Sequence, residues 1–233
     1  RYYKKKEKMI LKIKHVQKIF ALGMAGFMMG VTNSVVTIVC NVTLQTYGGD
    51  FYIAIMTIIN SIREVVSLPG QGLANASQPV LGYNYGAKQY QRVLKAIRFT
   101  TITCFLTSFL LWLSITLFPQ FYIQIFSHNP EIITHGTQAI HLYFFGFFMM
   151  SLQYSGQACF IGLGKAKQAT FFSIFRKVII VLPLTLLFPR LGGLGAMGVF
   201  LAEPVSNFIG GAACSGTMMR TMWPALTKQQ QSA

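Results

Sequence analysis

Along residues 60–78 an apolar run is interrupted by Asn60, Glu64, Ser67, Gln71, Asn75 and Gln78, at steps of 4, 3, 4, 4 and 3. Those steps average to the helical repeat and place all six side chains on one face of a helix. A second, narrower stripe, Asn33, Thr37, Asn41 and Gln45, advances by four residues each time. Six apolar stretches can be drawn, about 19–45, 51–81, 96–118, 135–162, 168–189 and 194–219. Each is near the roughly 20 residues needed to cross a hydrocarbon core, and the longer ones must tilt, kink or extend beyond it. The pattern predicts an all-α integral membrane fold, a bundle of six transmembrane helices. A polar stripe inside such a helix is costly unless it faces partners or a water-filled path. The stripes therefore point to a transport pathway.

Breaks in the pattern set the expected connections. Tyr47-Gly48-Gly49-Asp50 reads as a tight turn between the first two spans. Pro69 and Pro79 predict kinks or a break in the second, because proline cannot continue the helix ladder. Gln78, Pro79, Gly82, Asn84 and Gly86 form a structural motif, in which Gly82-Tyr83-Asn84-Tyr85-Gly86 is expected as a turn leaving the membrane. Residues 118–136 look interfacial, and Asn129-Pro130-Glu131 carries a cap, a first-turn proline and an acid suited to a helix start. In the last span Gly210-Gly211-Ala212-Ala213 suits close helix approach in lipid.

Composition agrees: 53% of residues are hydrophobic and 11% charged, where soluble domains average roughly 25% charged. The 20 Lys and Arg against 5 Asp and Glu raise the question of nucleic acid, and their placement answers it. Eight lie in 1–18, four in 88–98, four in 165–177, and Arg220 and Lys228 in the tail; the alternate connections hold Arg190 alone. Such asymmetry is a topology signal that puts both termini in the cytoplasm, and an even number of spans requires the same. No nucleic-acid partner is expected. The basic opening begins at Arg1 rather than Met and has no cleavage pattern, so it is expected to be an internal linker of something longer. Cys40, Cys104, Cys159 and Cys214 fall one to a span with no C-x-x-C pair, as apolar packing residues, and no metal site is expected.

Three residues inside the spans carry charge of chemical interest. Glu64 reads as a coupling carboxylate or an attractor for cations, or else as half of a structural ion pair; Arg63 beside it points about 100° away on a helix. Glu203, ahead of Pro204, reads as a second coupling acid or as an architectural partner for Arg63. Arg63 itself reads as the partner of one of these acids. Asn33, Thr37, Asn41, Asn60 and Gln71 are candidates to line a wet cavity. With them go Met149, Gln153, Tyr154 and Gln157 of the fourth span, where the Phe-rich run 144–148 offers either a wall that adapts to varied shapes or plain packing. No phosphate loop, dinucleotide fingerprint or catalytic constellation is present, so no enzyme is expected.

The stretches GQGLANASQPVLGYNYGAKQYQRV (70–93), GLGKAKQA (162–169) and FRKVIIVLPL (175–184) resemble the C-terminal half of a MATE-family (multidrug and toxic compound extrusion) transporter. GVFLAEPVSN (198–207) fits the MepA-like branch of that family. The resemblance implies two six-helix lobes, of which this chain is the second. Its linker would be 1–18, its transmembrane lobe 19–220 and its cytoplasmic tail 221–233. It further implies export of cationic, amphipathic drugs from the cell across the inner (plasma) membrane, in exchange for H+ or Na+, by rocking of the lobes. The coupling ion replaces any cofactor. The partners implied are the N-terminal six-helix lobe, the drugs and the lipid bilayer. One departure stands out: the Na+-dependent branch has carboxylates in the equivalents of spans one and four, and here neither holds Asp or Glu. The alternative is a lobe of a related lipid or lipid-linked oligosaccharide flippase, for which a positively lined cavity would be expected. The near absence of basic residues within the spans favours cationic or neutral cargo.

Overall fold

The structure, a computed structural model, describes residues 13–231, and of 14–30 and 231 only the helical backbone. Residues 1–12 of the expected linker and 232–233 of the expected tail lie outside the described residues. Helix α1 spans Ile13–Gly86 and α2 Tyr90–Leu117; the short α3, Pro119–Gln124, leads to α4, Pro130–Phe144. A 3-10 turn, Phe147–Met149, joins α4 to α5, Met150–Gly162. Then come α6, Ala166–Ile174, a π-helical segment, Phe175–Val181, α7, Leu182–Leu187, and the long α8, Ala196–Gln231. No strand occurs among the described residues. The stretches Val31–Gly86, Tyr90–Leu117 and Ala166–Arg190 are each long and apolar enough to cross a membrane.

The two arms of α1 meet at Gly49, whose φ of 66° and ψ of −168° suit glycine and interrupt the helical backbone. That places the bend inside the expected Tyr47–Asp50 turn. With α2, the broken pair α4 and α5, the pair α6 and α7, and α8, the arms make a six-segment membrane bundle. On α2, Phe99, Ile102, Leu106, Leu110, Leu113 and Leu117 are exposed at steps of three and four, while Val93, Ile97, Cys104 and Ile115 are buried. One face suits lipid and the other the bundle. At the start of α4, Asn129 Oδ1 accepts from the Glu131 backbone N–H at 2.9 Å, the cap that the sequence predicts.

Three expected boundaries differ. Helix α1 does not break at Pro79; Gly82 to Gly86 remain helical, and the turn comes at Ala87 and Lys88, where Lys88 has φ 59°. Packing explains the continuity. A Cβ built on Gly162 would lie 2.9 Å from Leu81 Cβ and 3.0 Å from the Gln78 carbonyl oxygen, so α5 presses on α1 across this stretch. Expected span four, in contrast, is two helices, because the chain takes φ 84° at Gly146. Helix α8 continues through the expected tail, since Met222 and Leu226, one turn apart, are still buried in the core.

Two large apolar clusters hold the bundle, with a small third of Ala74, Cys104 and Ala158. One gathers Ile55, Ile59, Ile62, Val66, Ile140, Phe144, Met150 and Phe200; the other Leu81, Val93, Ile97, Cys159, Phe160, Cys214 and Met218. Along α1, α5 and α8 polar residues lie between the two large clusters: Ser67 and Gln71, Gln153 and Gln157, Glu203 and Asn207. In lipid, helices associate by close packing rather than by water exclusion. Gly162→Ala is therefore expected to cost about 1–3 kcal/mol by overpacking. Gly72→Ala, where a Cβ meets nothing within 4 Å, should stay within about 0.5 kcal/mol. Thermal unfolding of the two variants in detergent checks the contrast.

Candidate functional site

The polar layer encloses a cavity of about 400 Å³. The first arm of α1 contributes Asn33, Thr37, Cys40 and Asn41 to its wall, and the second arm Asn60, Arg63, Glu64, Ser67 and Gln71. Helix α4 adds Tyr143, α5 adds Met150, Gln153, Tyr154 and Gln157, the π segment adds Arg176 and Lys177, and α8 adds Glu203. The spacing that puts these groups in register is the one read from the sequence. Asn33, Thr37, Asn41 and Glu64 are exposed at its rim, while Gln153 and Ser67 are buried.

Hydrogen bonds tie the wall together. Gln71 Nε2 donates to Ser67 Oγ at 2.9 Å and to Tyr154 Oη at 3.4 Å, and the Tyr143 hydroxyl donates to Asn60 Oδ1 at 3.3 Å. The Gln157 amide donates to the Ala169 carbonyl at 3.3 Å, which fastens α5 to α6. The Thr37 hydroxyl is turned back to the Asn33 carbonyl at 3.0 Å. Cys40 Sγ and Thr185 Oγ1 are 3.7 Å apart.

The strongest interaction lies at the π segment. Arg176 Nη1 donates to Glu203 Oε1 at 2.9 Å, to Asn207 Oδ1 at 2.8 Å and to Ser206 Oγ at 3.3 Å, and the arginine side chain is 3% exposed. Local structure makes room for it. A Cβ on Gly210 would come 2.8 Å from Arg176 Cγ and Cδ, so the stem fits only against a bare backbone. Pro183, following in α7, supplies no backbone N–H, and the wide i→i+5 turn absorbs the register change just before it. Lys177, the next residue, donates to Asn33 Oδ1 on the first arm of α1.

Several sequence expectations change here. Glu203 is partnered by Arg176, not by Arg63. Met149 is absent from the wall, which Met150 lines instead, because the 3-10 turn after Gly146 shifts the register by one residue. Gln45 is exposed and lies off the cavity, and Asn75 and Gln78 bond to each other at 3.0 Å. Gly82, Asn84 and Gly86 lie away from the cavity in the last turns of α1, where Asn84 Nδ2 donates to the Val80 carbonyl at 2.8 Å. Phe148 packs against Phe105, Phe109, Trp112 and Phe208 rather than toward the cavity. Arg176 and Lys177 are the residues that sequence reasoning missed as site residues. Counted with the basic cluster 165–177, they fall eight and nine residues inside the fifth expected span, which begins at 168. That depth was the available signal. The expectation of almost no basic residues within the spans is corrected accordingly: three cations, Arg63, Arg176 and Lys177, line the cavity against two carboxylates, Glu64 and Glu203.

A family model described as MatE matches residues 16–187. The chain belongs to the MatE family. Multidrug export protein MepA of Staphylococcus haemolyticus (strain JCSC1435) is 22% identical over 216 residues, covering 89% of this chain and 47% of that protein. Among solved structures, the MATE multidrug transporter DinF-BH is 29% identical, with a TM-score of 0.75 over 88% of this chain and 46% of that one. MATE in complex with MaL6 superposes with a TM-score of 0.85 at 18% identity, over 96% of this chain and 50% of that one. The chain thus spans about half the length of the relatives it matches, and within this family its bundle corresponds to one lobe.

Breaking the buried ion pair tests its weight. Arg176→Gln leaves the Glu203 carboxylate without its charge partner and should destabilise the bundle by about 3–5 kcal/mol. The double replacement Arg176→Met with Glu203→Leu should regain most of that loss, as read from a thermal double-mutant cycle in detergent.

Proposed function

We propose that this chain is one lobe of a secondary active exporter of amphipathic small molecules, driven by exchange for H+ or Na+. The observation that carries the reading is the polar wall itself: in a family of transporters, five charged side chains and a ladder of amides face one cavity between two apolar clusters. Such a layer, placed at mid-bundle, suits alternating access around a central site. The opposing six-helix lobe, which this reading requires, would close the rim where Asn33, Thr37, Asn41 and Glu64 are exposed. The inner membrane, with both termini cytoplasmic, remains the proposed setting. Moving Arg176 and Lys177 from loop to span leaves sixteen basic residues on the cytoplasmic side and Arg190 on the other.

Glu64 is the proposed coupling acid. It lines the cavity at the exposed rim, whereas Glu203 is engaged by Arg176. An ionisable group free to exchange its partner is the better carrier of a proton or cation. The expected cargo, cationic or amphipathic, is narrowed by the lining to amphipathic, since three cations face two acids. That same excess favours, as a second reading, a flippase lobe for anionic lipid cargo; membership of the MatE family favours the exporter.

In the intact transporter, Glu64→Gln should abolish drug-driven ion exchange while leaving expression unchanged; undiminished exchange in proteoliposomes would remove Glu64 from the coupling step. Single cysteines at Asn60 and Gln71 should react with a membrane-impermeant maleimide in at least one state. Protection of both in every state would leave the wall as scaffold without a conduit.

A further inference from the structure

Arg63 has no ion-pair partner among the described residues. It lines the cavity, yet none of its five N–H groups is donated to a described residue, and its Nε is buried without a partner. The other cations are accommodated: Arg176 by Glu203, and Lys177 by the neutral amide of Asn33. Among the described residues the carboxylates are Asp50, Glu64, Glu131 and Glu203, and of these Glu64 and Glu203 reach the cavity. Glu203 is occupied, and Glu64 makes no ion pair with Arg63 although adjacent to it in sequence. Two further buried polar atoms on the same wall lack partners, Gln153 Oε1 and Arg176 Nε, and the Gln153 residue is 4% exposed. A guanidinium that feels the two acids only at a distance and makes no direct contact with either leaves its N–H groups open to an anion from outside the chain.

We propose that the Arg63 and Lys177 side of the cavity receives the anionic group, a carboxylate or phosphate, of an acidic amphipathic small molecule, with Gln153, Tyr143 and Tyr154 beside it. The volume of about 400 Å³ falls within the roughly 300–1,000 Å³ of small-molecule pockets. A planar guanidinium suits bidentate recognition of either anion. This rests on the exporter reading for the role of the cavity, but binding is tested apart from transport.

Two xanthene dyes of one scaffold, anionic fluorescein and cationic rhodamine 6G, are titrated by fluorescence polarisation into the intact transporter in phosphatidylcholine nanodiscs. Fluorescein should bind the more tightly, and Arg63→Gln should weaken it by at least about tenfold while sparing rhodamine 6G. Arg63→Lys, which keeps the charge, should retain part of the affinity and so separates recognition from misfolding. Lys177→Gln should weaken fluorescein in the same direction. Preference for rhodamine 6G, or equal loss of both dyes in Arg63→Gln, overturns the proposal; the second result would assign the counter-charge of Arg63 to the opposing lobe. Displacement of fluorescein by added phosphatidylglycerol would overturn the small-molecule assignment in favour of a lipid headgroup. Arg63-dependent fluorescein binding without efflux of either dye from proteoliposomes would sink the exporter reading and leave this one standing. Efflux of rhodamine 6G with no fluorescein binding would do the reverse.

Discussion

A guanidinium and a carboxylate meet at 2.9 Å in the middle of the bundle, with a serine and an asparagine completing the contact. Either ion alone would be costly at that depth, and removing one strands the other. Arg176 belongs to the π segment between α6 and α7, while Glu203, Ser206 and Asn207 belong to α8. The pair therefore sets how these elements lie against each other, and with that the position of Lys177 beside the first arm of α1. Apolar clusters lie on either side of the network. What lies between them is a cavity whose wall is polar by necessity, since every group in the layer must be answered by another group, by water or by a solute.

Much of this layer was legible before any coordinates. The steps of three and four that carry Asn60, Glu64, Ser67 and Gln71 bring all four to one cavity, joined there by Asn33, Thr37 and Asn41. Periodicity reports the face that a helix shows to its partners, and in lipid that face is where polar residues are tolerated. The bend at Gly49 was legible for a local reason, because adjacent glycines mark a place where the backbone is free to turn. The break at Gly146 was not, because a single glycine in a phenylalanine-rich run has no turn-forming neighbours. Continuity through Pro79 was hidden for the opposite reason: the contact of Gly162 with Leu81 and Gln78 joins residues far apart in sequence.

Arg176 and Lys177 show where a charge count loses information. Clusters of basic residues report topology when they flank a span, yet two of the four in 165–177 sit within one. Depth, rather than proximity to a cluster, decides whether a cation is a topology signal or a member of the site. The revision changes the chemistry, because a wall thought nearly free of positive charge holds three cations. It also ranks the acids by availability: Glu203 serves the architecture, and Glu64 stays at the rim.

Gly210 and Arg176 occupy the same space from opposite helices, since a methyl group at one would overlap the stem of the other. Neither position can drift independently. A larger residue at 210 evicts the arginine, and a shorter one at 176 leaves a void beside a bare backbone and an orphaned acid. The absence of a side chain at 210 is thus what admits the buried charge, for any side chain there displaces the arginine that answers Glu203.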